Sequence, residues 1–174
     1  MTDLAERVAD TVDRINDVAA RYRHGHDRPL GSYSVVDGAY VALLGVLGLA
    51  AHRRPLPEVS VKDVALVGVA THRLARTIAK DPVTSPIRMP FTRYDGVSAA
   101  AELDEKVVAK GVGHALGELL TCPFCLAQWV ATGFVAGLVF APRATRLLAA
   151  TFAGVAVSDF LQYAYAAAQQ IESE

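Results

Sequence analysis

Residues 1–24 repeat with a helical period. One apolar seam recurs at alternating spacings of three and four residues, through Leu4, Val8, Thr11, Ile15, Val18 and Tyr22. Aspartate and arginine recur every seven residues on the other faces, at positions 3, 10 and 17 and at positions 7, 14 and 21. The pattern predicts an amphipathic helix. Because its charges alternate in sign, we expect it to pack on the rest of the protein or on a second copy rather than on lipid.

The start of the chain also bears on processing. It carries charges throughout and lacks the short basic stretch and apolar core of a cleavable signal peptide, so we expect the first helix to remain in the mature protein. Residues 25–34 follow as a linker, because Gly25, Pro29 and Gly31 interrupt the helical pattern.

Four apolar segments come next, at residues 35–51, 61–78, 126–141 and 147–168. Each is near the lower limit of about 17 to 20 residues for crossing a bilayer, which leaves buried helices of a soluble bundle as the alternative. Charged residues are almost absent from the first and third segments, and this absence favours membrane spans. We therefore predict an all-α fold: a small transmembrane bundle of about four spans over residues 35–168, preceded by the amphipathic helix and followed by a tail at residues 169–174.

Composition agrees with that fold class. Hydrophobic residues make up 52% of the 174 residues, and the mean hydropathy is +0.28. Aromatic residues are sparse, at 7%, and small apolar residues suit close helix packing; Gly133-x-x-x-Gly137 is a candidate packing face. The net charge of -1 predicts no nucleic-acid partner.

The distribution of basic residues predicts an orientation in the cell membrane. With four spans, twelve of the seventeen Lys and Arg residues lie on the side that holds the N-terminus. The positive-inside rule then places both termini and a loop at residues 79–121 in the cytoplasm. We expect the polar part of that loop, residues 95–111, to be mobile.

Ionisable residues within apolar segments mark function or specific pairing. His72, Arg73 and Arg76 lie on the second segment, and Asp159 on the fourth is the natural partner of Arg73 or Arg76. This polar intramembrane cluster has two interpretations: a polar pathway or anionic-ligand site, or a structural ion pair with arginines that reach the cytoplasmic surface. Arg88 and Arg93 extend the positive charge, which could collect anionic headgroups or only reflect the topology.

Both cysteines of the chain lie in Cys122-Pro-Phe-Cys125. Proline suits the first turn of a helix and Thr121 could cap it, so Cys122 would lie where a helix dipole favours a thiolate. Three interpretations stay open: a redox thiol pair, a zinc site completed by His114 and His72 with Glu118 nearby, or simple packing residues. Cytoplasmic thiols stay reduced, so we do not expect a permanent disulfide.

Several motifs resemble a known family. The stretches are ATHRLARTIAKDPVTSPIRMPFTRY, GHALGELLTCPFCLAQWVATGFV, PRATRLLA and SDFLQYAYA. They resemble the bacterial membrane-protein family called domain of unknown function 1360, over roughly residues 35–168. The resemblance implies a small multi-helix integral membrane protein, with some members in sporulation or phage contexts, and implies no activity. The N-terminal helix lies outside it.

Taken together, these patterns predict a small integral membrane protein with a structural, assembly or partner-binding role and no catalytic activity. Its expected partners are membrane lipid and a second copy or another membrane protein, and no cofactor is expected. The alternative is a membrane-associated thiol-redox or zinc-binding protein that uses Cys122 and Cys125.

Overall fold

The computed structural model describes residues 2–26 and 28–172; the predicted linker and C-terminal tail therefore fall in part, at residues 27, 173 and 174, outside the described residues. It consists of seven α-helices and one two-stranded sheet within that part of the chain. In chain order the elements are α1 (Thr2–Arg23), α2 (Leu30–Ala51), α3 (Val61–Lys80), a 3-10 turn (Pro82–Thr84), α4 (Ser85–Arg88), β1 (Thr92–Ala99), β2 (Glu102–Val107), α5 (Val112–Thr121), α6 (Pro123–Phe140) and α7 (Pro142–Glu172).

Helices α2, α3, α6 and α7 run alternately up and down. Near the middle of α2 and α6, the Tyr40 hydroxyl and Thr132 Oγ1 are 2.8 Å apart, and Tyr40 meets the Trp129 ring edge-on at 5.0 Å. Where both helices end, Arg54 from beyond α2 lies over the Phe140 ring at 5.0 Å. The predicted all-α bundle is confirmed, with a small sheet added.

The core of the bundle lies where α3 contacts α6 and α7. Ala70, Phe134 and Ala149 form one buried cluster, and Ala75, Ala79 and Leu126 form a second one nearer the end of α3. Alanine lets helix backbones approach closely, which is the small-residue packing that the composition predicts. Gly137 contributes in the same way, because a Cβ there would lie 2.6 Å from Thr145 Oγ1. Gly133 has open space instead, so only one half of the predicted glycine pair packs closely.

Three helices are long and apolar enough to cross a membrane: Leu30–Ala51, Pro123–Phe140 and Pro142–Ile171. Helix α3 is not among them, because five charged side chains lie along it. It nevertheless extends beside α7, from the Asp63–Arg146 pair to the Arg73–Asp159 pair, and its last turns pack on α6 through Ala75, Ala79 and Leu126. The second predicted segment is therefore a bundle helix with charges in its first turn and in its last eight residues.

The polar stretch at residues 95–111, which the sequence predicts to be mobile, forms a β-hairpin over most of its length. Strands β1 and β2 pair antiparallel, with Thr92 opposite Val107 and Ala99 opposite Glu102. Ala100 and Ala101 make the turn, with Ala101 at a φ of 61°. Asn or Gly is the usual residue in such a turn, so the sequence carried no hairpin signal there. We call α4, the β1–β2 hairpin and α5 the cap.

Helix α1 matches the predicted amphipathic helix, but its seam does not pack on any other element that the structure describes. Val8, Ile15 and Val18 keep 54%, 61% and 59% of their surface exposed. At the other terminus, α7 continues through residue 172, so the described part of the predicted tail is helical.

Candidate functional site

The polar residues predicted from the sequence line one cleft between α3, α7 and the turn of the hairpin. The cleft has a volume of about 520 Å³. Its polar lining includes His72, Arg73, Arg76 and Asp159, all four members of the predicted cluster, and Phe160 and Tyr163 supply apolar surface. We call this feature the polar cleft.

Arg73 is the central cation of the polar cleft. Its Nε lies 3.0 Å from Asp159 Oδ2, which is the predicted pairing of α3 with α7. The direction of the Nε–H bond does not make this contact a hydrogen bond, so the pair is held by charge. Arg73 Nη2 also donates to Asp81 Oδ2 at 3.2 Å, and thus joins the end of α3 to α7.

Arg76 connects the bundle to the cap. Its guanidinium donates from both Nε and Nη2 to Glu102 Oε1, with the Nε contact at 2.9 Å. His72, one turn earlier, is exposed and stacks on the Phe160 ring at 6.5 Å between centroids. Each arginine of the cleft therefore has a carboxylate partner from another element or from the end of its own helix.

The charge balance of the polar cleft disfavours an anionic ligand. Asp81, Glu102 and Asp159 face Arg73 and Arg76, so carboxylates outnumber guanidinium groups. Ion pairs between partly buried groups neutralise both charges and leave little potential to attract a phosphate or carboxylate. The arrangement fits the structural interpretation of the cluster better than the anionic-ligand interpretation.

Arg88 lies inside the cap and is not available to lipid headgroups. The Arg88 side chain has no exposed surface. Its Nε donates to Glu105 Oε2 at 2.7 Å, and the Glu105 side chain is 7% exposed. Arg88 also donates to the carbonyl oxygen of Ile78 at 2.6 Å and to that of Asp81 at 3.1 Å. The interpretation of Arg88 as part of a lipid-binding surface is therefore wrong, whereas Arg93 is exposed.

A second ion pair closes the opposite end of the bundle. Arg146 Nε, in the first turns of α7, donates to Asp63 Oδ1 at 2.7 Å, and Ser60 and Asp63 form a capping box at the start of α3. Asp63 Oδ2 also accepts the Ser60 backbone N–H at 3.2 Å and the Ser60 hydroxyl at 2.9 Å. The Ser60-x-x-Asp63 spacing is a capping-box pattern that the sequence shows. The arginine that pairs with Asp63 is 83 residues away, so no local pattern indicates it.

Cys122 and Cys125 form a disulfide at the start of α6, so the expectation of reduced thiols is wrong. Cys122 has an extended backbone at the N-cap, and its Sγ accepts the Cys125 N–H at 3.2 Å. This local geometry brings the two Cα atoms to 5.3 Å, within the range for a disulfide. The N-cap is Cys122 and not the predicted Thr121, whose hydroxyl donates to the Gly117 carbonyl within α5.

The structure does not assemble the proposed zinc ligands. His72 lies in the polar cleft, while His114 contacts the Ala109 carbonyl oxygen at 3.3 Å and Glu118 Oε1 at 3.4 Å. Over residues 2–26 and 28–172, no three His, Cys, Asp or Glu side chains gather where they could hold a metal. Glu118 instead accepts the Tyr33 hydroxyl at 2.6 Å, which ties α5 to α2.

Sequence reasoning missed the carboxylates that complete these contacts. Glu102 and Glu105 lie on β2, three residues apart. Glu102 accepts a hydrogen bond from Arg76 of α3, and Glu105 accepts one from Arg88 of α4. Neither pair is local in sequence, because Arg76 and Glu102 are 26 residues apart and Arg88 and Glu105 are 17 residues apart. The excess of acids in the segment that holds β2 was the available signal.

Comparisons with known proteins agree with the motifs. The family described as "Protein of unknown function (DUF1360)" matches residues 66–165, which include the polar cleft and the disulfide but not α1. The sporulation protein YjcA of Bacillus subtilis (strain 168) is 30% identical over 110 residues, covering 57% of this chain and 93% of the relative. No solved structure matches the chain. The chain thus belongs to the DUF1360 family, as its THRLAR and TCPFC motifs predicted.

Proposed function

We propose that this chain is a multi-pass membrane protein with a structural or assembly role and no catalytic activity of its own. The observation that carries the proposal is the outward direction of its apolar side chains. Helix α2 has no buried residue, and Val41, Val46 and Leu49 keep 66%, 63% and 76% of their surface exposed. Leu147 and Leu161 on α7 are exposed to a similar extent. Hydrocarbon is the environment in which such a surface is stable.

Helix α3 would be the fourth span, packed on α6 and α7 along one face, while Val64 and Val69, 62% and 40% exposed, face outward. Its charges are paired across helices: Asp63, in the first turn, pairs with Arg146, and Arg73, in the last eight residues, pairs with Asp159. Such pairing reduces the cost of placing charges in a membrane. The many lysines and arginines near the cap favour a cytoplasmic cap with both termini on the same side.

The role of the cap would be to present a fixed polar surface to a membrane-protein partner. The Arg76–Glu102 ion pair and the hydrogen bond from Arg88 to the Ile78 carbonyl oxygen join the cap to α3, so the cap has a defined position. The relative is named a sporulation protein, which favours the same cellular context for this chain.

Membrane insertion and sidedness are tested together. In a Cys122→Ser/Cys125→Ser background, we would place single cysteines at Glu58, beyond α2, or at Arg93, on the hairpin; both positions are exposed. An impermeant thiol reagent added to intact cells should label Glu58→Cys at once and Arg93→Cys only after the membrane is opened. The reverse pattern would invert the topology, and extraction of the protein by alkaline carbonate would refute insertion.

A thiol-redox role is the second candidate, because the disulfide lies at an accessible helix start. Cys125 is exposed, and Phe124 between the cysteines keeps 88% of its surface exposed. A structural disulfide in a reducing cytoplasm is unusual, whereas a reversible one is not. We would delete the gene in its host and compare rescue by the wild type and by Cys122→Ser/Cys125→Ser. Equal rescue supports the structural role, and loss of rescue by the double variant supports the thiol role.

A further inference from the structure

The seam of α1 is an exposed apolar feature to which the proposed function gives no role. Leu4, Val8 and Ile15 expose 70%, 54% and 61% of their surface on a helix that precedes all the apolar spans. We propose that α1 pairs with α1 of a second copy as a parallel two-stranded coiled coil, which makes the protein a dimer at the membrane surface.

The register of the seam carries the proposal. Val8, Ile15 and Tyr22 fall at a positions, and Leu4, Thr11 and Val18 fall at d positions, so the pattern is unbroken over three heptads. β-Branched residues at a favour two parallel strands when d is leucine; Val8 and Ile15 are the β-branched a residues, and Leu4 is the leucine among the d positions. Thr11 does not interrupt the seam, because its hydroxyl donates to the Arg7 carbonyl oxygen at 2.7 Å and is satisfied within its own helix.

The charges of α1 select a second copy over a lipid surface. The helix has five acidic residues and four arginines, and this balance gives no attraction to anionic headgroups. Amphipathic helices that bind membranes are instead rich in basic residues on their polar face. Arg14 forms an ion pair of 2.6 Å with Asp10 of the same helix, so one flanking arginine is already neutralised.

The flanking positions select the parallel orientation. Arg7, Arg14 and Arg21 occupy the g positions, and Ala5, Val12 and Ala19 occupy the e positions. In a parallel pair each g residue faces an e residue of the other chain, so the arginine stems can cover alanine and valine. In an antiparallel pair the g rows would face each other and arginines would repel. An identical partner is thus compatible only in the parallel sense.

Three heptads, about 33 Å of helix, give a weak dimer in free solution. This step rests on the proposed function, because anchoring in a bilayer confines the helices and raises their effective concentration. Dimerisation should therefore be measured on the full chain in membranes rather than on an isolated peptide.

Cross-linking tests the face and the orientation. In the Cys122→Ser/Cys125→Ser background, Ile15→Cys should form a disulfide-linked dimer on mild oxidation, whereas Asp13→Cys, on the opposite face, should not. When two differently tagged chains carrying Leu4→Cys and Tyr22→Cys are expressed together, we expect Leu4→Cys to cross-link to Leu4→Cys and Tyr22→Cys to Tyr22→Cys. We expect no cross-link between Leu4→Cys and Tyr22→Cys. A link between Leu4→Cys and Tyr22→Cys would establish an antiparallel pair and overturn the parallel arrangement.

Mass measurement tests the seam itself. In lipid nanodiscs, we expect Ile15→Glu to halve the mass of the protein assembly and Ala20→Glu, on the polar face, to leave it unchanged. A monomeric wild type that carbonate does not extract would overturn the dimer and leave the membrane function standing. Protection of α1 from protease only when anionic vesicles are added would show that lipid covers the seam, and would also overturn the dimer. Carbonate extraction of a chain that still cross-links at Ile15→Cys would refute the membrane function alone.

Discussion

Arg88 Nε and Glu105 Oε2 are 2.7 Å apart, and the arginine side chain is completely enclosed. The guanidinium also donates to the carbonyl oxygens of Ile78 and Asp81. One side chain therefore joins the end of α3 to the hairpin, and it fixes the position of the cap on the bundle.

Removing Arg88 should destabilise the protein strongly. Arg88→Met leaves the Glu105 carboxylate buried without a cation, with the Thr92 hydroxyl 3.3 Å away still donating to it. Breaking a buried ion pair from one side costs about 3 to 5 kcal/mol. The matched control is Arg93→Met on the exposed part of β1, where we expect a change within about 0.5 kcal/mol. Thermal unfolding in detergent, followed by Trp129 fluorescence, measures both. Equal effects of the two variants would contradict the structural role of Arg88.

The Asp63–Arg146 pair should stabilise the fold. Arg146 Nε and Nη2 donate to the two Asp63 carboxylate oxygens at 2.7 and 3.1 Å, and the Ser60 backbone N–H donates to the same carboxylate at 3.2 Å. Asp63→Asn removes the charge that pairs with Arg146, so we expect this variant to unfold in detergent at a lower temperature than the wild type. An unchanged unfolding temperature would contradict a stabilising role of the ion pair.

Gly137 and Gly133 should respond oppositely to alanine. A Cβ at Gly137 would lie 2.6 Å from Thr145 Oγ1, so Gly137→Ala must displace the start of α7, and overpacking of this kind costs about 1 to 3 kcal/mol. Gly133 has nothing within 4 Å, so Gly133→Ala should be neutral or stabilise the helix by up to about 1 kcal/mol. The unfolding temperatures of the two variants, measured in detergent, test this difference. Adding Thr145→Ala should restore Gly137→Ala; failure of that rescue would show that the clash is elsewhere.

The disulfide predicts a specific chemical state of the purified protein. Without reductant, Cys122 and Cys125 should resist alkylation, and after reduction both should react; intact mass spectrometry counts the added groups. Because the bond closes a loop with only two intervening residues, Cys122→Ser/Cys125→Ser should cost about 2 kcal/mol or less. Alkylation of both cysteines without reductant, under anaerobic lysis with rapid quenching, would show that the pair is reduced in the cell.

Local patterns made much of the architecture predictable. The seam of α1, the apolar runs of α2, α6 and α7 and the proline after Cys122 depend on residues close in sequence, and the structure places helices there. The Arg73–Asp159 pairing was also predictable, because an unpaired charge in an apolar helix is expensive and Asp159 was the one acid within its segment.

The hairpin and the partners of Arg76 and Arg88 were not predictable in this way. Ala100 and Ala101 are unusual turn residues, and Glu102 and Glu105 meet their arginines only after the chain has turned back on α3. The disulfide was missed for a different reason: compartment chemistry was weighed above the short distance that a helix start imposes between Cys122 and Cys125.

The sequence by itself determined which segments are helical and which faces are apolar, because helical periodicity and hydrophobicity are set by neighbours along the chain. Only the tertiary structure decided which charges neutralise one another. Asp63 with Arg146 and Glu105 with Arg88 are joined across 83 and 17 residues, and only the packing of the helices brings them within hydrogen-bonding distance. The same packing left the seam of α1 uncovered, since within residues 2–26 and 28–172 no other element lies against it closely enough to bury Val8 or Ile15.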